Sequence, residues 1–549
     1  MAEDEVKYTF TLVFSVTIAV FGNSFLYGYQ IGVINTPASL IKAFYNETYY
    51  ERNGGNWTSM QKYDVYITEV TAANQTDNST NKKPDDAYKT PAEFGVDTDK
   101  LLKPWELELL WSSTVAAFVL FGMIGAFLSA KLADIAGRKK GMLMITVIMF
   151  AAAIFGGITL ITKSPECLIV SRILVGLHSG LNISLAPLYL AEISPKKIRG
   201  AIGTCHQLGI TIGILSSQIF GLPVLLGTSL LWPYLFAFNA FPSLVCLILL
   251  PLCPESPRWL LIRKGEDETA SALLKKLRGY DNVEEELEEM RLEAKTSGGV
   301  RNFTLKELVT TPELRMPTII ACVSQVAQQW SGINAVMSYS SFIFAQAQVP
   351  DQYIPYVIVG TGTINVICTV IAVPLMEKLG RRPLLIWPMC VMAAAFLLMT
   401  VFLELQFDVS LADHHTAFAM TCIVLMHIYV IGFALGLGPI PFIVVSEIFR
   451  QEARAAAMSL SLAFNWICNF ILMLTFPFLK DGLGAYTYLL FTAILVGAIA
   501  FIFFFVPETK NKTFDEIAAS IAFGRARGQT KNYKFDENDE TTPMDNSKV

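Results

Sequence analysis

Apolar runs long enough to cross a lipid bilayer recur along this chain, and nothing else in the sequence restricts its fold as strongly. A spanning helix needs about 20 mainly apolar residues. Such runs lie near 9–34, 106–132, 141–161, 165–193, 198–220 and 232–253. A second set lies near 316–346, 353–377, 384–404, 415–446, 455–478 and 485–506. Polar intervals at 36–103 and 254–315 interrupt the series. Charged residues make up 16% of the 549 and hydrophobic ones 53%, whereas soluble domains carry about a quarter charged. Lipid is therefore the expected solvent. In lipid each backbone amide must be bonded within its own segment, which leaves helices or closed barrels. Runs of this length predict an all-α membrane protein of twelve spans. The net charge of −5 gives no reason to expect a nucleic-acid partner.

The N-terminus is short and acidic, without a cationic region or a small-residue cleavage site, so the first run reads as a retained helix. Nearly all of the nine cysteines fall in apolar runs and none in 36–103, which argues against a disulfide framework. The expected organisation is a six-helix bundle over 1–253, linker helices over 254–315, a second six-helix bundle over 316–510 and a tail over 511–549.

Orientation is read from basic residues in short loops. Arg138-Lys139-Lys140, Lys196-Lys197, Arg381-Arg382, Arg450 and Arg454 all fall on one side if there are twelve spans. That side is expected to be cytoplasmic and to hold both termini. The interval 36–103 is then extracellular, and its sequons at Asn46, Asn56, Asn74 and Asn78 agree with that placement as candidate glycosylation sites.

The two halves repeat each other. Gly137-Arg138-Lys139 matches Gly380-Arg381-Arg382, Glu192 and Arg199 match Glu447 and Arg454, and Pro254-Glu255-Ser256 matches Pro507-Glu508-Thr509, in order and at nearly constant spacing. Duplicated halves with a cargo site between them near the midplane are a transporter arrangement. Acids and bases recur at the cytoplasmic helix ends: Arg138, Glu192, Arg199 and Glu255 in one half, Glu377, Arg381, Arg382, Glu447, Arg454 and Glu508 in the other. We expect these to form ion pairs between the halves that gate the cytoplasmic side. The alternative is that the basic residues only hold orientation.

Uncharged amides mark the interior. Gln325, Gln328 and Gln329 share one helix face by their spacing, and Asn334 follows Gly332, where a break is expected. Gln207, Asn365, Asn465 and Asn469 lie mid-run, with Trp466 and Phe442 available to stack on a ring. An amide both donates and accepts, as a sugar hydroxyl requires, and carries no charge to attract an ion. A single amide reads more simply as interhelical glue; the set reads as a polar cavity. The run 432–441, with Gly436, Gly438, Pro439 and Pro441, is expected to be irregular, which is tolerated at this depth only where it lines a cavity or is covered by protein.

Taken together, Gly-Arg-Lys at 137–139, Arg172 in its Ser-Arg-Ile-Leu-Val-Gly context, Pro-Glu-Ser-Pro-Arg at 254–258, Gln-Gln-Trp-Ser-Gly-Ile-Asn at 328–334, Gly-Arg-Arg at 380–382, Gly-Pro-Ile-Pro at 438–441 and Pro-Glu-Thr-Lys at 507–510 give a chain that resembles the facilitative glucose transporters, sugar porters of the major facilitator superfamily. The resemblance covers nearly all of 28–516. It implies the major facilitator fold, with twelve transmembrane helices in two pseudo-symmetric six-helix bundles and a cytoplasmic helical linker. It implies passive hexose uniport at a plasma membrane, D-glucose first among the substrates, with no enzyme activity, cofactor or metal. Gln207, Gln328, Gln329, Asn334, Asn365 and Asn469 would bond the sugar, with Trp466, Phe442 and Phe433 beside it. Gln325-Val326-Ala327 stands where glucose-preferring members carry Gln-Leu-Ser, Phe442 where a Trp is usual, and Ala434 where Glu is common; a fructose-preferring uniporter therefore stays open. A proton-coupled symporter needs a titratable group in the pathway, yet the first helix has Gln30 near the usual Asp and no acid at all over 9–35. A non-transporting sensor is disfavoured by the short tail, and the five histidines show no ligand spacing.

Overall fold

The computed structural model describes residues 8–56, 96–195, 198–297, 304–406, 414–449, 451–510, 512 and 514–522. Among these there is no strand. The first half contains α1 (Phe10–Gly32), α2 (Ala38–Arg52), α3 (Pro104–Ala136), α4 (Arg138–Ile158), α5 (Pro165–Ile193), α6 (Arg199–Phe220) and α7 (Trp232–Leu252). The linker forms α8 (Asp267–Arg278), α9 (Glu284–Ser297) and α10 (Leu305–Thr310). The second half contains α11 (Pro312–Trp330), α12 (Ile333–Gln346), α13 (Ile354–Leu379), α14 (Arg381–Leu405), α15 (His415–Leu435), α16 (Ile440–Ile448), α17 (Gln451–Leu483) and α18 (Tyr486–Phe505), followed by α19 (Phe514–Ala522).

Ten of these segments are long and apolar enough to span a membrane, where the apolar runs predicted twelve. The two that fall short are α6 and the α11–α12 pair. They are the helices richest in the polar residues expected to line a cavity: His206, Gln207 and Gln218 in α6, and Gln325, Gln328 and Gln329 in α11. A helix facing a cavity and its partners does not need the apolar surface that lipid demands.

Local chemistry sets the helix boundaries. In α3, Pro104 occupies the first turn and the Glu106 carboxylate accepts the Lys103 N–H at 2.9 Å; Pro tolerates that turn because its missing N–H would be unpaired there anyway. The helix stops at Gly137, at φ +84°, a conformation that disfavours residues with a Cβ. The next helix starts at once, and the Glu255 carboxylate accepts the backbone N–H of Arg138 at 3.1 Å and of Lys139 at 3.0 Å. The second half repeats this. Gly380 has φ +88°, and Glu508 accepts the N–H groups of Arg381 and Arg382 at 2.9 and 3.1 Å. A carboxylate facing two free helix N-terminal amides is favoured by both hydrogen bonding and the helix dipole.

Within each half, α3, α4 and α5 pack together, as do their counterparts α13, α14 and α15. The halves meet along α3–α17 and α6–α13. The Trp466 ring lies against Gly122, where a Cβ would come within 2.4 Å of it, and Gln218 Oε1 would lie 2.0 Å from a Cβ at Gly362. At the end of the molecule away from the linker, Asn35 donates to Ser340 Oγ at 2.5 Å and accepts from the Ser341 N–H at 3.2 Å, joining α1 to α12. The linker helices dock on the opposite end: Arg278 donates to the Ile193 carbonyl at 2.8 Å and pairs with Glu286 at 3.0 Å.

Candidate substrate site between the halves

The site is organised by two helix breaks. The first follows α11, where Gly332 at φ +94° separates it from α12. Tyr429 OH on α15 donates to the freed Ser331 carbonyl at 2.9 Å, so the break is braced by the other broken helix. That second break is narrower than the 432–441 run predicted. Regular helix continues to Leu435 and resumes at Ile440. Gly436 packs where a Cβ would meet the Leu384 carbonyl at 2.7 Å.

Gln328 Nε2 donates to the carbonyls of Leu437 and Gly438, at 2.7 and 2.9 Å, so it satisfies the carbonyls exposed by the second break. Its Oε1 accepts from Asn465 Nδ2 at 2.7 Å, as does Gln325 Oε1 at 2.7 Å. Gln329 Nε2 donates to Asn465 Oδ1 at 2.8 Å, and Asn334 Nδ2 donates to Gln329 Oε1. Sequence reasoning placed Asn465 among the mid-run polar residues but left it out of the sugar-bonding set. It is the hub of the network, because its single amide reaches three glutamines on the neighbouring helix.

These amides bond one another. Gln325 is sealed, while Gln328, Gln329, Asn465 and Asn469 keep 5–8% of their surface accessible. Within the network Gln325 Nε2 lacks a partner, and beside it so do the Trp466 indole N–H and Asn469 Oδ1, a donor and an acceptor one turn apart on α17. Unpaired buried polar atoms cost roughly 1–3 kcal/mol each. A neutral molecule with hydroxyls can supply the partners that Trp466 and Asn469 lack and exchange with amide–amide bonds at little net cost. Asn365 on α13 is nearly buried and Gln207 on α6 half-buried. Phe433 and Phe442 are half-buried beside the second break, and the Phe433 carbonyl accepts the Gly438 N–H at 2.9 Å.

Arg172 is fully buried on α5. Its Nη1 donates to Gln30 Oε1 at 3.1 Å, and its guanidinium lies 4.6 Å from the centre of the Phe118 ring. Its side-chain partner is an amide, and among the described residues it pairs with no carboxylate.

Among the described residues, the ion pairs at the expected cytoplasmic gate close within each half rather than between the halves. Arg138 forms a fork with Glu192 at 2.7 and 2.8 Å, inside the first half. Arg381 pairs with Glu447 at 2.8 Å, inside the second, and Thr509 Oγ1 caps Glu447 at 2.5 Å. Glu255 and Glu508 bond backbone amides of their own halves, Arg382 reaches the Phe503 carbonyl at 2.6 Å, and Arg454 reaches the Phe449 carbonyl at 3.3 Å. The Arg138–Glu192 and Arg381–Glu447 pairs close inside a half because each carboxylate stands beside the turn that carries its arginine. The side chains of Arg199 and Glu377 lie outside the described residues. Of the four sequons, Asn46 is half-buried within α2 with its Thr48 buried, Asn56 is exposed just past that helix, and Asn74 and Asn78 lie outside the described residues.

The description "Sugar (and other) transporter" matches residues 15–520. The chain belongs to the sugar transporter family. It is 38% identical to the solute carrier family 2 facilitated glucose transporter member 5 of Equus caballus, over 93% of this chain and 92% of that one. It is 37% identical to the family's member 3 of Homo sapiens, over 96% and 95% of the two chains. Among solved structures it is similar to the xylose transporter XylE of E. coli in a partially occluded inward open conformation, with a TM-score of 0.68, 23% identity and coverage of 91% of this chain and 99% of that one. That likeness supports the fold: as a sugar transporter family member, this chain has the major facilitator architecture of two six-helix halves and a helical linker.

Proposed function

We propose that this transporter is a facilitative hexose uniporter, with D-glucose the first candidate, working by alternating exposure of the site between its halves. One observation carries the reading: an uncharged amide network at two braced helix breaks, with a donor on Trp466 and an acceptor on Asn469 left unsatisfied beside it. A cation would need convergent free carbonyl oxygens or a carboxylate, whereas the carbonyls freed here are taken by Gln328, and an amino acid would need partners for two charges. The relatives' names as facilitated glucose transporters support the same class.

Uniport is favoured over proton symport because Arg172 is held by the Gln30 amide, which does not titrate. Catalysis has no support from the site's residues. Basic residues clustered at the linker end support a cytoplasmic placement for that end and both termini. The exposed Asn56 supports an extracellular placement for the other end, and a plasma membrane is the corresponding location.

The test is counterflow of radiolabelled glucose, fructose and galactose in proteoliposomes, with Gln328→Leu alongside. Glucose counterflow that falls at least tenfold in the variant is expected. Equal counterflow in both proteins would overturn the assignment of the site.

A further inference from the structure

Where the halves meet at the end opposite the linker, a charged contact lies beside the Asn35 bonds. Lys42 on α2 pairs with Glu108 on α3. Both belong to the first half, and their side chains are 14% and 25% exposed. The Lys42 ammonium also lies 4.4 Å from the centre of the Phe342 ring, which belongs to α12 of the second half. Trp111, fully buried, meets Phe342 edge-on at 6.5 Å, and Lys42 lies 5.8 Å from its ring. Burial lowers the pKa of Lys42 and the Glu108 carboxylate opposes that shift, so the ammonium is desolvated and retained by its partner. A cation on an aromatic face is worth about 0.5–1 kcal/mol when exposed and about 2 when desolvated.

A second ammonium opposes the contact. Lys480, at the end of α17, lies 5.4 Å from the same ring, with Asp481 beside it at 4.0 Å. It shares Phe342 with Lys42 and repels it. Asp481, next to Lys480 on α17, attracts Lys42, so the second half presents both a competitor and a partner to the ammonium.

We propose that Lys42, steadied by Glu108 and seated on Phe342, is a latch across the halves that sets how often the outer side opens, and hence the asymmetry between sugar influx and efflux. The flux part rests on the uniporter reading and its orientation. The latch itself does not, since opening this end must separate α2 and α3 from α12. Lys42 and Phe342 are positioning residues, away from the amide network.

Hydrogen exchange of the full chain in lipid nanodiscs, without sugar, reads the latch directly. In Lys42→Met and in Phe342→Leu, exchange in segment 333–346 is expected to rise roughly threefold or more. Lys42→Arg keeps the cation and should stay near the parent. Lys480→Met removes the competitor and should slow exchange. In liposomes the same two loosening variants should shift the ratio of efflux to influx KM by a similar factor, leaving equilibrium exchange of sugar intact. Unchanged hydrogen exchange in both loosening variants overturns the proposal, as does faster exchange in Lys480→Met. Altered hydrogen exchange in a protein that carries no hexose would sustain the latch and reject the uniporter reading.

Discussion

Gln328 shows how one side chain can serve structure and transport together. Its amide N–H groups hold the two carbonyls freed at the break between α15 and α16, and its oxygen accepts from the Asn465 hub. Replacing it with Leu removes all three bonds and leaves the buried Leu437 carbonyl unpaired, at roughly 1–3 kcal/mol, with the half-buried Gly438 carbonyl beside it. Loss of counterflow in Gln328→Leu should therefore come with a lowered thermal midpoint. Asn469→Ala should differ: the Asn469 oxygen has no protein partner, so substitution is expected to weaken sugar binding about tenfold, read as KM, with little change in melting. Gly332 tests the backbone. At φ +94°, with a Cβ that would sit 3.1 Å from the Phe491 ring, Gly332→Ala should destabilise by about 1–2 kcal/mol, measurable by thermal denaturation in nanodiscs.

At the scale of elements, the turns at Gly137 and Gly380 are one device used twice. A positive-φ glycine, a carboxylate over the next helix's first amides and an arginine paired with a second carboxylate recur in both halves. Because Arg381 and Glu447 pair inside one half, reversing Glu447 alone should damage that corner. Exchanging the two, Glu447→Arg with Arg381→Glu, should recover most of the lost stability. A gate between halves would not predict that recovery, so thermal melting of the single and double variants separates the two. Glu255→Gln and Glu508→Gln should each cost about 1 kcal/mol through the loss of charge at a helix N-terminus. Matched losses in the two halves would establish that the repeat is energetic as well as geometric.

At the scale of the whole molecule, the arrangement predicts passive transport. Arg172 is hydrogen-bonded to an amide that does not titrate, so its charge is held without a proton-exchanging partner and no proton need accompany the sugar. In proteoliposomes an inward pH gradient should leave the final glucose level at equilibrium with the outside. Accumulation above that level would refute uniport. Gln30→Asp would place a titratable carboxylate against Arg172, and transport by that variant is expected to become pH-dependent while the parent stays flat between pH 5.5 and roughly 8, a window in which an amide has no proton to lose.

The spans, the halves and their repeat were legible in the residues because lipid imposes a long-range rule on composition: each crossing segment must be apolar along about 20 residues. The same rule explains its exceptions. The α6 helix and the α11–α12 pair still read as apolar runs, yet they fall short of the combined length and hydropathy of the other ten spans because they carry the polar side chains of the amide network and its surroundings. The helix break at Gly332 was also readable, because a positive φ leaves its mark on residue choice. Partner choice was not. Sequence shows that Arg138, Glu192, Arg381 and Glu447 recur, but whether they pair within a half or across it depends on which helix end stands over which turn. The same holds for Asn465 at the centre of three glutamines and for Lys42 reaching Phe342 from the opposite half. Composition and period act along one chain segment at a time. Hydrogen bonds and ion pairs act over about 3 Å, a distance only the packed helices decide.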